Sequence, residues 1–275
     1  MIWNYQRISL SCVSALFLFS FNAGPKITGI TGPLLAGETS LHSLAPASHA
    51  ILNPKKAIAP YTIYLTFDDG PCAGSEKVNE LCQKDNLFIN VFLIGKNVYR
   101  NENSRMLFHQ YISNPLIETG NHSFTHAERH YRQYFRDPET VLSDFNRNRD
   151  SLLFSNNFAR LPGRNFFRLD SLTRNDITNG SEAADTLAAN GYHIFGWDIE
   201  WRSRPAKGIS LHTGSEMIEI VQKMISKKKT FLPDRIVILL HDPELQDSAF
   251  RSALEDFIDK ARADGNFRFD HLSNY

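Results

Sequence analysis

Cysteine is scarce in this chain, with three among 275 residues. Cys12 lies in an apolar N-terminal run, which leaves Cys72 and Cys82 for the body of the protein. In an oxidising compartment those two could pair. However, Cys82 is expected more than two turns into a helix that starts near Ser75, a separation larger than a disulfide usually spans. An excess of one charge is missing as well: 30 Lys and Arg balance 30 Asp and Glu, which argues against a nucleic-acid partner. The one basic run, Lys227-Lys228-Lys229, closes a helical pattern and reads as a solvated helix terminus. There is no internal repeat and no lipobox around Cys12. The apolar run "ISLSCVSALFLFSF" is short and serine-containing for a membrane span.

That run follows Arg7 and is followed by Asn22, Ala23 and Gly24, the anatomy of a secretory leader over residues 1–23. The mature protein is therefore expected to be secreted or periplasmic, with membrane attachment only if the leader stays uncleaved. Residues 24–59 are rich in Gly, Pro, Ala, Ser and Thr without a sustained period, and read as a linker or N-terminal arm. The remaining residues, 60–275, suffice for one domain with a well-buried core, in a chain that is 42% hydrophobic.

From Tyr61 onward the pattern is regular. Strand-like runs are expected at 61–68, 86–95, 115–120, 158–161, 192–200, 235–241 and 267–272. Helical segments are expected at 75–84, 101–113, 138–153, 181–190, 214–228 and 247–263. Strands alternating with amphipathic helices imply a parallel sheet, open or closed into a barrel. "RIVILLHD" is apolar on successive residues, as a strand buried on both faces should be. The chemistry-bearing residues fall at the carboxyl ends of the expected strands: Asp68-Asp69, His122, Arg160, Asp198, Glu200 and His241. In a barrel that rim is where a site is built.

Within "YLTFDDGP", Asp68 and Asp69 stand side by side at the end of an apolar run. Neighbouring carboxylates repel, and burying one unpaired is costly. The pair makes sense if a cation sits there, or if the two acids divide two tasks. In "NHSFTHAERH", His122 and His126 are four apart, so one helical turn would present both imidazoles to a single ion. His130 would lie about 12 Å from His122 along such a helix, too far to share the ion. Two histidines and a carboxylate form a facial set that leaves metal positions open.

"TFDDGP", "HSFTH", "RLPG", "WDIEW" and "LLHD" occur in that order. Together they resemble the five motifs of the polysaccharide deacetylase (NodB-homology) family, carbohydrate esterase family four, over roughly residues 61–275. The resemblance implies a distorted (β/α)7 barrel and a hydrolase that removes N-acetyl groups from an amino-sugar polysaccharide. The alternatives are an O-acetyl esterase on a xylan-type glycan and a non-catalytic glycan-binding barrel. It implies one divalent ion, zinc first and cobalt second, held by Asp69, His122 and His126. Asp68 would be the general base and His241 the acid that protonates the departing amine. Arg160 would orient Asp68, and either Asp198 or Glu200 would orient His241, Glu200 being favoured. Gly163 stands where the family has an aromatic residue. Its backbone N–H would help hold the oxyanion, and Phe166 or Phe167 could supply the missing aromatic wall. Trp201, or else Trp197, would pack beside the acetyl group. The implied partner is an acetylated polysaccharide or oligosaccharide, and a monomer is expected.

Overall fold

A computed structural model describes residues 59–203 and 212–275. The leader expected over 1–23 and nearly all of the arm expected over 24–59 lie outside the described residues, as does most of the "WRSRPAKG" segment. Strands β1 to β10 span Tyr61–Gly70, Ile89–Leu93, Ile117–Asn121, Phe158–Ala159, Phe167–Leu169, Leu172–Arg174, His193–Ile194, Ile199–Glu200, Arg235–His241 and Phe267–Phe269. Helices α1 to α8 span Ser75–Asp85, Gly95–Val98, Glu102–Ser113, Tyr131–Tyr134, Pro138–Leu152, Ser181–Ala189, Gly214–Ser226 and Ser248–Asp264. No helix among the described residues is long and apolar enough to cross a membrane.

The helix boundaries follow local chemistry. Asn101, Asp137, Thr213 and Asp247 each accept a backbone N–H of the first turn of α3, α5, α7 and α8. Thr213 and Glu216 complete a reciprocal capping box, which fixes where α7 begins. Gly265 ends α8 with φ of 75°, a conformation that costs glycine nothing.

The strands form one curled sheet in the order β6-β5-β7-β4-β3-β2-β1-β9-β8, with β10 added beside the amino-terminal half of β1. Pairing from β4 through β3, β2, β1 and β9 to β8 is parallel. The result is a distorted α/β barrel, curled but not closed by a hydrogen-bonded ladder. The expected strand 192–200 is in fact two short strands on opposite sides of the gap. Phe195 N–H donates to the Ala159 carbonyl, and three residues later Asp198 N–H donates to the Val237 carbonyl. The chain itself thus spans the opening between β7 and β8. The β5–β6 hairpin, which the pattern did not foretell, pairs antiparallel with β7.

Side-chain alternation sets what lies inside. On β1, Ile63, Leu65 and Phe67 join the core beneath α1, α7 and α8, while Tyr64 joins Phe92, Phe167, Phe195 and Val237 in a second apolar cluster. Thr66 and Asp68 share parity with Tyr64 and continue its row toward the carboxyl-end rim. Cys72 and Cys82 are free thiols.

Candidate active site

The adjacent acids reach one site because β1 carries an extra residue. Asp68 pairs with Phe92 and Gly70 with Leu93, so Asp69 is bulged out of register. Its φ of 72° lies in the left-handed region, which aspartate tolerates better than most residues. In a regular strand successive side chains point to opposite faces. The bulge brings Asp68 and Asp69 to the same cavity instead.

The histidines arrive differently from the expected helical turn. His122 directly follows β3, and Ser123 and His126 take φ of 62° and 56°, so the segment is an irregular turn rather than an α-helix. Asn121 braces it: its Oδ1 accepts from Ser123 N–H and from Asn148 Nδ2, and its Nδ2 donates to the Phe145 carbonyl. The four-residue spacing brings the imidazoles together all the same, with centroids 4.9 Å apart. His122 Nδ1 donates to the Arg160 carbonyl at 2.8 Å, which leaves Nε2 free to face the acids. His122 Nε2 is 3.6 Å and His126 Nε2 3.1 Å from Asp69 Oδ1. That oxygen is buried and has no hydrogen-bond partner with acceptable geometry. An orphaned carboxylate oxygen between two imidazole nitrogens fits a divalent cation, and the three ligand atoms lie within 4.8 Å of one another. Burial alone would raise the Asp69 carboxyl, but the adjacent His122 and His126 imidazoles hold it far below the usual carboxylate range.

Asp68 is held apart from that set. Fully buried Arg160 donates from Nη1 to Asp68 Oδ1 at 3.0 Å and to Thr66 Oγ1 at 2.7 Å. Its Nε and Nη2 donate to the carbonyls of Phe195 and Gly196, and its Cζ sits 4.4 Å from the Phe92 ring centroid. Breaking such a buried pair strands a charge and costs about 3–5 kcal/mol. Asp68 Oδ2, 3.5 Å from His122 Nε2, takes none of these arginine bonds. Across the β1–β9 ladder His241 is the register partner of Asp68. Burial pushes the His241 imidazole down, against the opposing pull of the Asp68 and Asp69 charges.

The "WDIEW" segment departs from expectation at two positions. Asp198 does not reach His241. Its Oδ1 accepts from Phe231 N–H and Arg174 Nη1 and its Oδ2 from Val237 N–H, with none of the side chain exposed. Trp201 is 1% exposed and packs edge-on against Phe250 and Phe257 in the core. It cannot touch a substrate; Trp197 lines the cavity instead. Glu200 does line it, with Oε1 4.0 Å from His241 Nε2 and accepting from Arg202 Nε.

Two residues of the cavity wall were not expected from the sequence. Glu244, one turn beyond His241, places Oε2 4.0 Å from His241 Nδ1; burial pushes its carboxyl up to about 7. Its signal was an acid three residues after the strand-end histidine. Tyr131 supplies the missing aromatic wall, while Phe166 and Phe167 are wholly buried in the core. A Cβ built on Gly163 would stand 3.5 Å from the Tyr131 ring. Gly163 itself has φ of 62°, where a side chain would be strained. The Tyr131 hydroxyl lies 3.3 Å from His126 Nδ1. Asp68, Asp69, His122, His126, Tyr131, Gly163, Trp197, Glu200, His241 and Glu244 thus enclose a cavity of about 370 Å³. It offers a facial cation set, a separate carboxylate and a histidine opposite it, which suits metal-assisted hydrolysis.

The polysaccharide deacetylase family profile matches residues 55–155, which include "TFDDGP" and "HSFTH". The resemblance to that family holds. A family-four carbohydrate esterase from Streptococcus mutans superimposes with a TM-score of 0.60 at 21% identity, covering 78% of this chain and 87% of that one. The catalytic domain of a peptidoglycan N-acetylglucosamine deacetylase from Eubacterium rectale gives 0.54 at 18%, covering 77% and 88%. An acetyl xylan esterase of family four from Clostridium thermocellum, solved with a cobalt ion, gives 0.54 at 17%, covering 78% and 89%. At these identities the structures share the polysaccharide deacetylase fold with this chain. No curated protein sequence matches it.

Proposed function

We propose that this protein is an exported, metal-dependent carbohydrate deacetylase that hydrolyses N-acetyl groups of an amino-sugar polysaccharide. One observation carries the reading: the adjacent acids are in different electrostatic company. Asp69 Oδ1 lies unpaired between two imidazole nitrogens, whereas Asp68 is anchored to Arg160.

Asp69, His122 and His126 would hold the ion, zinc by preference and cobalt as an alternative, because a mixed imidazole–carboxylate set suits both. The bound ion supplies Lewis acidity toward the acetyl carbonyl and acidifies its water. Asp68, with Oδ1 fixed by Arg160, turns Oδ2 to the site and takes a proton from the attacking water. His241, its register partner across β1–β9, hands a proton to the departing amine. The Gly163 N–H would help hold the oxyanion, with the Tyr131 ring beside Gly163 shielding that side of the cleft from water. Glu244, on the Nδ1 side of His241, would favour its protonated form. Export rests on the leader-like composition of residues 1–23.

The test is acetate release from neutral N-acetylated and O-acetylated oligosaccharides, with zinc or cobalt restored after chelation. Amide-borne acetate is the expected product. Release only from O-acetyl substrates would replace this reading with an esterase, and release from neither these nor acidic oligosaccharides would leave a glycan-binding barrel. N-terminal sequencing of exported protein should begin between about residue 20 and residue 28; a start at Met1 would exclude cleavage.

A further inference from the structure

The cavity that holds the acids continues past Tyr131 in two directions. A trough of about 650 Å³ opens from Asp69 and His126 onto Lys96, Arg100, Arg129 and His130, with Glu128 the one carboxylate among them. A shallower one, of about 450 Å³, adjoins it at Tyr131 and Arg129 and runs along Arg132 and Arg164. Tyr131 is common to both and to the catalytic cavity. Its hydroxyl is 3.3 Å from a proposed metal ligand, and its ring centroid is 5.8 Å from the Arg164 guanidinium. One aromatic residue therefore separates the reaction centre from the arginines.

These cations are largely uncompensated. Lys96 pairs with Glu128 at 2.7 Å. Among the described residues, neither Arg100, Arg129, Arg132 nor Arg164 has a carboxylate oxygen within 4.0 Å. Arg100 donates to Asn97 Oδ1, and Arg164 donates to Asn179 and to the Gly163 carbonyl. Arg100, Arg129 and Arg132 are exposed. On the opposite wall Glu200 and Glu244 face His241, with Arg202 paired to Glu200. The whole chain has equal numbers of basic and acidic side chains, so this is local segregation rather than a general excess. Clefts in which one sign of charge predominates concentrate ligands of the other, and guanidinium groups suit carboxylate and phosphate oxygens.

We infer that the substrate is an acidic glycan, bound with a carboxylate or phosphate group on the Tyr131 side of the acetyl group being removed. The inference rests on the deacetylase reading for its turnover arm only. The neutral sugar enters between Tyr131 and Trp197, and the anionic substituent meets Arg100, Arg129 and Arg132.

The experiment combines equilibrium binding by calorimetry with acetate release, on three tetrasaccharides of equal length. One is neutral N-acetylglucosamine throughout, one alternates N-acetylglucosamine with a uronic acid, and one carries a phosphate monoester on a neighbouring sugar. One acidic tetramer should bind at least about tenfold tighter than the neutral one, and the better of the two identifies the anion. That advantage should shrink as salt rises from about 10 mM to about 150 mM, because the Debye length falls from about 30 Å to about 8 Å. The Arg100→Gln, Arg129→Gln, Arg132→Gln variant should lose the preference. A control that removes three charges elsewhere, Lys227→Gln, Lys228→Gln, Lys229→Gln, should keep it. Equal affinity for neutral and acidic tetramers, or identical behaviour of the two variants, would overturn the inference. Salt-sensitive binding of an acidic tetramer without acetate release from any of the three would uphold the trough and remove the deacetylase.

Discussion

His241 Nδ1 and Glu244 Oε2 lie 4.0 Å apart, both buried and both without a hydrogen-bond partner. A small rotation of either would join them, and an ionised Glu244 would then stabilise the imidazolium. Glu200 stands at Nε2 and is engaged by Arg202, so the Nδ1 side belongs to Glu244.

Glu244→Gln should therefore lower kcat on an N-acetyl amide by about ten- to a hundredfold with metal content unchanged. An activated aryl acetate, whose leaving group needs less help from an acid, should suffer less. Burial raises the Glu244 carboxyl to about 7, so wild-type turnover should rise as pH passes through that value and Glu244 ionises. In the variant that rise should vanish. Losing the negative charge also favours neutral His241, which should move the alkaline limb of the kcat profile to lower pH. An unaltered profile would remove Glu244 from the mechanism. Asp198→Asn makes a useful contrast, because its buried oxygens serve backbone N–H groups: it should lower Tm.

The division between the two aspartates predicts opposite metal phenotypes. Asp69→Asn should lose the ion on dialysis. Asp68→Asn should keep it, measured by elemental analysis, yet lose about a hundredfold or more in turnover on amide and aryl acetate alike. Metal loss in Asp68→Asn with retention in Asp69→Asn would exchange the two roles.

Asp242 predicts a pH dependence of stability. Its Oδ2 accepts from the Ser75 and Tyr111 hydroxyls, and burial pushes its carboxyl up to about 7 from an ordinary value of 3.8. Between those values the folded state holds a proton that the unfolded chain has released. This contribution to stability is complete below about pH 4 and is lost as pH rises toward 7. The slope is on the order of 1 kcal/mol per pH unit within that window. Asp242→Asn should flatten it in denaturant titrations run from pH 4 to pH 8, and a slope equal to wild type would assign the effect elsewhere.

The two tryptophans of "WDIEW" should separate cleanly. Trp201→Ala empties a packed core position and should cost about 3–5 kcal/mol of unfolding free energy. Trp197→Ala should instead raise KM for an oligosaccharide. The reverse pattern would return Trp201 to the cleft.

The sequence disclosed most where a single local rule decides. Helices α1, α3, α5, α6, α7 and α8 begin and end within two residues of expectation, because periodicity and capping side chains act over short range. The pairing of His122 and His126 was legible from their spacing, whereas the choice of Asp69 over Asp68 came only with the resemblance; the structure brings the three side chains together. The route by which they assemble was not legible, since a four-residue interval fits a helical turn and also the left-handed turn actually formed. Within "WDIEW" the placement of Glu200 in the cavity was foreseen, but the choice of Trp201 over Trp197 failed for a related reason. The segment bridges the sheet's gap, so which side chains point inward depends on β4 and β9, far away in sequence. Tyr131 was hidden because the wall it forms is set by the space above Gly163, a tertiary fact.

The single bulged residue in β1 means that the acid pair is portable only together with its irregularity. Deleting Gly70 or inserting a residue before Asp68 would keep both acids in the chain and still send one of them to the wrong side of the strand. A protein engineer who grafts "DD" onto a regular barrel strand would obtain one acid in the cleft and one against the helices. A substitution survey would register Asp69 as a ligand, but a one-residue deletion scan would find the whole turn equally intolerant. In this chain the length of the loop edge is as much a part of the chemistry as the carboxylates it carries.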